Sequence, residues 1–289
     1  MHYIQASKIL SSDNRINIYR GCSHGCIYCD SRSKCYNLDH EFTDIAVKEN
    51  ALELLEAELV KKRNKVVVDI GSMSDPYMPL ENELKLTKKL LELLIKYGHG
   101  ISLITKSDLV LRDLDLLIKI NKQTKASVAM TLTTYDDELC KLIEPNVIPT
   151  SKRFETLKKL SEAGINTYVW LTPILPFIND SLDNLRGILN LCKEAKVKGI
   201  ILFNFGVTLR DGNREYFYSK LDEFFPKIKK EYIKKYNKSY LCDSPYSKYL
   251  MDYFIRFCKE NNIEFDYAKI ETEIKNLETE VSYEQLSLF

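Results

Sequence analysis

The segment Cys22-Ser-His-Gly-Cys26-Ile-Tyr-Cys29 places three cysteines on one short loop. This C-x3-C-x2-C spacing suits a 4Fe–4S cluster in which three irons are bound by protein thiolates and the fourth is not. An iron with an open position can bind a small molecule and act on it. A fully ligated metal usually only stabilises the fold, a contrast best known for zinc. The loop therefore predicts a 4Fe–4S centre held by Cys22, Cys26 and Cys29.

The rival interpretation of this loop is a structural zinc site completed by Cys35 or His24. Such sites usually combine two spaced pairs of ligands, and the sequence has no second pair of this kind. The spacing favours the iron–sulfur interpretation. The remaining cysteines are scattered through amphipathic stretches, where a thiol is usually a small buried hydrophobe. They are Cys140, Cys192, Cys242 and Cys258.

Composition indicates a globular protein without a dominant charge. The chain has 289 residues, of which 45% are apolar and 29% charged. Its net charge of +1 creates no global field that would attract nucleic acid, so any such binding must use a local patch. No apolar run approaches the ~20 residues that span a bilayer, and the first ten residues do not resemble a signal peptide. We expect no membrane association, a cytoplasmic location and reduced cysteines.

Short apolar runs alternate with helical patterns from residue 16 to residue 205. The runs are rich in β-branched and aromatic residues, and their continuous apolarity predicts strands of a parallel sheet. An α/β fold follows, as a partial (β/α)6 barrel with additional C-terminal helices; a flat doubly wound sheet is the alternative. The predicted strands are 16–19, 66–71, 101–105, 126–132, 166–172 and 199–205. The cysteine loop follows the first strand, at the end of the barrel where active sites lie.

We divide the chain into a barrel over residues 1–210, a helical extension over 211–270 packed on it, and a charged tail over 271–289. Amphipathic patterns predict helices from residue 45, over 110–117 and over 182–192, and a last helix near 248–261. The tail ends in the peptide QLSLF, residues 285–289. This peptide resembles the short motif by which bacterial repair proteins bind the DNA sliding clamp. Leu286, Leu288 and Phe289 would fill an apolar pocket, with Gln285 hydrogen-bonding at its edge; folding back onto the barrel is the alternative.

The cysteine loop, with Tyr28 before its last cysteine, resembles the radical S-adenosylmethionine (radical SAM) superfamily. Further segments resemble its spore photoproduct lyase-like branch, and the similarity covers roughly residues 15–205. These segments are GSMSDPYMPLE (71–81), LITKSDLVLRDLDLL (103–117), TLTTYDDEL (131–139), IEPNVIPTSKRFETLKKLSEAGI (143–165) and LTPILPFIND (171–180).

The resemblance implies an enzyme. Its cluster would bind S-adenosylmethionine, and one electron from a donor such as flavodoxin or ferredoxin would release a 5′-deoxyadenosyl radical that abstracts hydrogen from a substrate. A nucleic-acid lesion or modified nucleotide is the favoured substrate. Two alternatives stay open: a peptide or small metabolite as substrate, and a non-enzymatic clamp-binding module with a structural metal site.

The resemblance also implies cofactor-binding residues. Tyr28 would lie beside the adenine, and Lys106 would pair with the carboxylate of the cofactor. The segment after the second strand would contact the methionyl group through Gly71, Ser72 and Ser74. Thr131 stands at a position where the lyase has a hydroxyl residue.

Two positions depart from the lyase pattern. Ser72 stands where that enzyme has its hydrogen-donor cysteine, and an O–H group donates a hydrogen atom far less readily than a thiol. Asp30 stands where the lyase has a tyrosine after the last cluster cysteine. Cys35, which lies near the loop in sequence, is the candidate replacement donor.

Three further features allow two interpretations each. Asp75 and Glu144 each precede a proline, so they are either turn signals on the barrel rim or catalytic groups. Arg153 is either a donor to an anion or a surface residue. The basic and aromatic stretch over 214–240 either binds nucleic acid or forms amphipathic helices with solvated lysines.

Overall fold

The computed structural model describes residues 1–277. The predicted clamp-binding peptide over 285–289 lies outside the described residues and stays a prediction. The strands are β1 (His2–Ile4), β2 (Arg15–Ile16), β3 (Tyr19–Arg20), β4 (Ala46–Lys48), β5 (Val67–Ile70), β6 (Gly100–Thr105), β7 (Ala126–Thr131), β8 (Asn166–Trp170), β9 (Gly199–Ile201), β10 (Gly206–Thr208) and β11 (Leu241–Asp243).

Helices follow most strands of the barrel. They are α1 (Ala51–Lys61), α2 (Glu81–Leu84), α3 (Leu86–Tyr97), α4 (Leu114–Gln123), α5 (Asp137–Ile143), α6 (Thr150–Glu162), α7 (Leu182–Glu194), α8 (Asn213–Phe224), α9 (Ile228–Tyr236), α10 (Ser247–Glu260) and α11 (Tyr267–Lys275). Short 3-10 helices occupy Asp30–Arg32, Lys34–Tyr36 and Asp108–Asp113.

The main sheet has the order β2-β5-β6-β7-β8-β9, and every neighbouring pair is parallel. This order follows the chain without the reversal that defines a doubly wound sheet. Right-handed crossovers therefore place successive helices on the same face, and the sheet curves into a partial barrel. The predicted partial (β/α)6 barrel is confirmed.

The predicted first strand is wrong in its bounds. Only Arg15 and Ile16 pair with β5, whereas Tyr19 and Arg20 pair with β4 in a second sheet of order β1-β4-β3. Ile16, Ile18 and Tyr19 are all buried, so the apolar run gives no sign that the chain changes sheets there. The helix predicted from residue 45 begins only at Ala51, because β4 precedes it.

The two faces of the barrel sheet are covered by different helices. Along β8, Val169 belongs to the main core under the outer helices, whereas Tyr168 joins Ile201 and Ile270 on the opposite face. Because Ile270 lies in α11, this last described helix covers part of the inner face. The helix predicted near 248–261 is α10, which adds Phe254 to the main core. No helix within residues 1–277 is long and apolar enough to cross a membrane.

Candidate active site

The cysteine loop leaves β3 at a glycine that no other residue could replace without strain. Gly21 has a φ of +85°, and a Cβ there would lie 2.5 Å from the carbonyl oxygen of Phe42. Cys22 and Cys26 are buried and Cys29 is half-buried. The loop thus turns its thiols away from bulk water.

The partners of the two candidate fourth ligands argue against a structural zinc site. Such a site usually has four protein ligands. His24 Nε2 lies 3.0 Å from the carboxylate of Asp75, and the sulfur of Cys35 accepts a hydrogen bond from Arg210. Three thiolates instead suit a 4Fe–4S cluster in which one iron has no protein ligand.

The segment after α5 holds the loop from one side through its backbone. Ile27 N–H donates to the carbonyl of Ile143 at 3.0 Å, and Asn146 N–H donates to the carbonyl of His24 at 3.1 Å. The Asn146 side chain donates to the carbonyl of Ser23 at 2.9 Å. Two backbone hydrogen bonds and one from the Asn146 side chain fix the loop without using its cysteines.

A buried ion pair supports the same side of the loop. Glu144 and Arg153 are both fully buried and joined by a hydrogen bond, and the Tyr28 hydroxyl donates to the other oxygen of Glu144. Arg153 also donates to the carbonyl of Thr131 at 2.7 Å. Burial raises the pKa of Glu144, but Arg153 and then Lys106 lower it below its usual value. Arg153 is therefore not a surface residue.

Asp75 joins three segments of the site and is also buried. Its carboxylate lies 3.0 Å from His24 Nε2 and accepts hydrogen bonds from the Thr105 hydroxyl and the Lys106 N–H, each at 2.7 Å. Burial raises the pKa of Asp75, but His24 and these hydrogen bonds lower it to about 2. The carboxylate is thus an ionised structural centre between the cysteine loop and the end of β6. We call Asp75, Glu144 and Arg153 the loop frame.

Lys106 has an ammonium group without a close anionic partner. Among the described residues no carboxylate lies within 4.0 Å of its Nζ, which is 5.9 Å from the centroid of the Tyr28 ring. Burial lowers the pKa of Lys106, but Cys26, Glu144 and Asp75 raise it above its usual value. Lys106 lines a cavity of about 300 Å³ together with His24, Tyr77 and Asn146. The cation is held in charged form beside the loop.

The other predicted cofactor residues lie at the carboxyl ends of barrel strands. Gly71 follows β5 with a φ of +104°, and a Cβ there would lie 2.2 Å from the Ile104 carbonyl oxygen. Ser74 is buried and donates to the Tyr19 carbonyl at 3.1 Å, whereas Ser72 is exposed. Thr131 ends β7 and is buried.

Cys35 lies on the 3-10 helix Lys34–Tyr36 and is exposed. Its sulfur accepts a hydrogen bond from Arg210 at 3.3 Å. Asp30 accepts a hydrogen bond from the Tyr36 hydroxyl at 2.8 Å. The described contacts of Cys35 are thus with Arg210, and none joins it to the three loop cysteines.

A second cavity, of about 410 Å³, adjoins the cysteine loop and is basic. Its lining includes Lys8, Arg20 and Lys48 but no acidic residue. Among residues 1–277, Lys48 Nζ donates only to the Asn17 carbonyl, and Arg20 donates to backbone carbonyls, including that of Asn37. Burial lowers the pKa of Lys48, and the neighbouring Arg20 lowers it further. We call this space the basic cavity; sequence reasoning did not predict it.

The basic and aromatic stretch over 214–240 folds as the amphipathic helices α8 and α9. Phe217 and Tyr232 are fully buried and pack in one cluster with Cys26 and Ile27. These rings support the cysteine loop and are not free to stack on bases. The structure agrees with the interpretation in which the lysines of this stretch are solvated.

Comparison with known proteins identifies the class. Residues 16–192 match the model of the Radical SAM superfamily, so the chain belongs to this superfamily of enzymes, which use a 4Fe–4S cluster and S-adenosylmethionine. An uncharacterized protein of Methanocaldococcus jannaschii is 36% identical over 179 residues, covering 61% of this chain and 66% of that protein. One of Mycobacterium tuberculosis is 31% identical over 229 residues, covering 77% of this chain and 67% of that protein. The match spans about two thirds of each relative.

Solved structures confirm the predicted fold. A spore photoproduct lyase variant matches with a TM-score of 0.64 at 15% identity, covering 90% of this chain and 78% of that one. Another variant of that enzyme, with bound AdoMet and dinucleoside spore photoproduct, matches with a TM-score of 0.62 at 14% identity. It too covers 90% of this chain and 78% of that one. Streptococcus suis SuiB bound to precursor peptide SuiA matches at 0.53 and 13%, covering 87% of this chain and 47% of that one. At such identities the likeness shows the fold alone. Superfamily membership itself excludes the non-enzymatic interpretation.

Proposed function

We propose that Cys22, Cys26 and Cys29 would hold a 4Fe–4S cluster, and that S-adenosylmethionine would bind at the iron that has no protein ligand. When bound, the two groups together supply a 5′-deoxyadenosyl radical that abstracts hydrogen from a substrate. The spacing and burial of the three thiols support this assignment. The task of the protein is to position both groups and exclude water.

Lys106 is the residue that binds the cofactor carboxylate in this proposal. Its charged ammonium lies beside Tyr28 and has no anion within 4.0 Å among the described residues. A half-buried cation of this kind is stabilised by an anionic ligand. Glu144 holds the Tyr28 ring, which we place beside the adenine. Gly71, Ser72 and Ser74 would face the methionyl group, with Thr131 nearby.

The fate of the substrate radical is a separate question. Ser72 is exposed and carries a hydroxyl, so we assign it no hydrogen-donor role. Cys35 is also exposed, which lets it exchange with solvent but gives no described contact with the loop. Cys35 stays a candidate donor only if substrate binding brings the two together.

We further propose that the substrate carries phosphate, as a nucleic-acid lesion or modified nucleotide does. The basic cavity supports this: Arg20 and Lys48 face one space beside the loop without any acidic partner in its lining. Two neighbouring cations repel each other unless an anion lies between them. Arg20 can bind phosphate with two parallel N–H donors, the strongest common geometry.

A carboxylate-bearing peptide or metabolite is the alternative occupant of the same cavity. The match to SuiB, which was solved with a bound precursor peptide, supports this alternative. The chemistry of the cavity is shared by both kinds of anion, so the experiment must distinguish them.

The test uses the full chain with its cluster, reduced without oxygen and supplied with S-adenosylmethionine. Ultraviolet-treated oligonucleotides, modified nucleotides and acidic peptides, each carrying deuterium, are offered separately. We expect deuterium in 5′-deoxyadenosine only with the phosphate-bearing substrates. Transfer from peptides alone would overturn the nucleic-acid proposal and leave the radical chemistry intact.

A pair of variants tests the role of the basic cavity. We expect Arg20→Gln to raise the KM for the phosphate-bearing substrate by about tenfold, since a hydrogen bond to a charged group contributes about 1.5–3 kcal/mol. Cleavage of S-adenosylmethionine without substrate should not change. The matched control is Lys193→Gln, which removes an exposed charge on α7 far along the chain from the cavity lining. An equal effect of both variants would contradict a specific phosphate contact.

A further inference from the structure

Strand β1 and the segment before β4 carry a group of possible metal ligands that the radical chemistry does not use. His2, His40 and Asp44 each offer one atom, and these three atoms all lie within 4.8 Å of one another. His2 lies in edge strand β1, and the other two residues lie in the segment before β4. None of the three belongs to the cysteine loop.

The His40 ring is oriented so that its Nε2 faces no hydrogen-bond partner among the described residues, which an ordinary ion pair does not explain. Its Nδ1 lies 3.0 Å from the carbonyl oxygen of Glu41. A carbonyl only accepts, so Nδ1 carries the proton, and in the neutral ring Nε2 carries the lone pair. Nε2 is buried without a hydrogen-bond partner among the described residues, and the nearest carboxylate oxygen, on Asp39, is 4.0 Å away.

This arrangement is the one found around metal-bound histidines. A ligating imidazole usually donates its other N–H to a backbone carbonyl or a carboxylate, which fixes the tautomer and aims the lone pair at the ion. The two rings lie with centroids 4.8 Å apart and planes at 87°, so each can present a nitrogen edge to a common point.

The other two groups already face each other at close range. His2 Nδ1 lies 2.9 Å from Asp44 Oδ2, and the other oxygen of Asp44 lies 2.7 Å from the Met1 amine. An ion entering between His2 and Asp44 displaces the proton that His2 Nδ1 donates to the carboxylate, and the neutral ring then carries its proton on Nε2. The ion binds both groups and also satisfies His40. Side-chain movements of about 1 Å bring three such atoms to the roughly 2.0–2.2 Å metal–ligand distances of a zinc site.

We propose that His2, His40 and Asp44 bind a divalent transition-metal ion of the zinc class, separate from the cluster. Two imidazoles and one carboxylate suit Zn²⁺ and Fe²⁺, and the usual order of affinities gives Zn²⁺ the tighter binding. The ion ties β1 to β4, which pair from His2 and Ala46 onward. Because Ile4 and Phe42 line the basic cavity, the ion also fixes its outer wall.

The test is a calorimetric titration of the full, cluster-loaded chain with ZnCl₂ after anaerobic dialysis against a weak chelator. We expect one Zn²⁺ per chain and a higher Tm in its presence, because an ion that binds only the folded state stabilises it. His40→Gln should weaken Zn²⁺ binding at least tenfold and abolish the rise in Tm, with iron content unchanged. Asp39→Asn is the matched control and should bind Zn²⁺ as the wild type does.

Zinc affinity equal in the wild type and in His40→Gln, or no zinc binding at all, would overturn the proposal. If His40→Gln does not fold, His2→Gln takes its place, since His2 lies on an edge strand and its side chain is 39% exposed. Unchanged binding in His2→Gln would equally refute the site. Neither outcome bears on cleavage of S-adenosylmethionine, so this proposal and the proposed function fail separately.

Discussion

The loop frame and the basic cavity both adjoin the cysteine loop, but their charged residues differ in whether they have partners of opposite charge. In the frame, Glu144 and Arg153 are fully buried, and each satisfies the other. In the cavity, Arg20 and Lys48 are half-buried, and their partners within the described part of the chain are backbone carbonyls. A paired buried charge holds structure in place, whereas an unpaired, accessible cation is available to a ligand. The difference separates the residues that position the loop from those that recognise a substrate.

The most severe way to break this comparison is to remove one partner of the frame. Arg153→Met leaves Glu144 as a fully buried charge without its cation, and we expect a loss of about 3–5 kcal/mol in the free energy of unfolding. Urea denaturation of the full chain measures it. The double variant Glu144→Gln with Arg153→Met should recover much of this loss. A loss below about 1 kcal/mol in the single variant would show that Glu144 has another partner or takes up a proton.

The backbone next to the frame offers a smaller and more local test. Gly71→Ala places a Cβ against the Ile104 carbonyl at a φ of +104°, and we expect a loss of about 2–5 kcal/mol from strain and overpacking. Gly164→Ala is the matched control, because Gly164 has a φ of +80° but nothing within 4 Å of the added atom. Gly164→Ala should lower the free energy of unfolding by about 1–2 kcal/mol, which is the strain of an alanine at a positive φ alone. Equal losses would show that the close approach to β6 is unimportant.

The smallest expected change in stability comes from replacing a cation of the basic cavity. Arg20→Gln, which should weaken substrate recognition, should change the free energy of unfolding by less than about 1 kcal/mol, because Arg20 has no ionic partner among residues 1–277. Thermal and urea unfolding of the full chain provide the check. A loss as large as that of Arg153→Met would place Arg20 in the structural frame and remove the main argument for a phosphate-bearing substrate.

The barrel strands were predictable because interior parallel strands are buried on both faces and leave a continuous apolar run. The strands β1, β3, β4, β10 and β11 have only two or three residues each, too few to show a period. The switch from the barrel sheet to the second sheet between Ile16 and Tyr19 is invisible for the same reason. Tertiary pairing, not local sequence, decides it.

The candidate site divides in the same way. The three cysteines carry their signal in local spacing, so the sequence alone predicts them. The loop frame makes contacts between distant parts of the sequence. The hydrogen bond from Tyr28 to Glu144 joins positions 116 residues apart, and no local sequence pattern predicts such a contact. One usable signal was present: Arg153 shares the buried stripe of α6 with Leu157 and Leu160, four and seven residues on. A charge on an apolar stripe predicts a buried partner.

The hydrogen bonds from the loop to distant segments have a consequence for how the protein is made. The cysteines emerge from the ribosome early, but Ile27 and Lys34 must wait for Ile143 and Asp211 to be synthesised before their backbone partners exist. Domains fold as units once their chain is complete. Until then the three thiols lie on a segment of nascent chain that lacks these backbone partners. We therefore expect the cysteine loop to reach the conformation that accepts a cluster only after most of the polypeptide has left the ribosome.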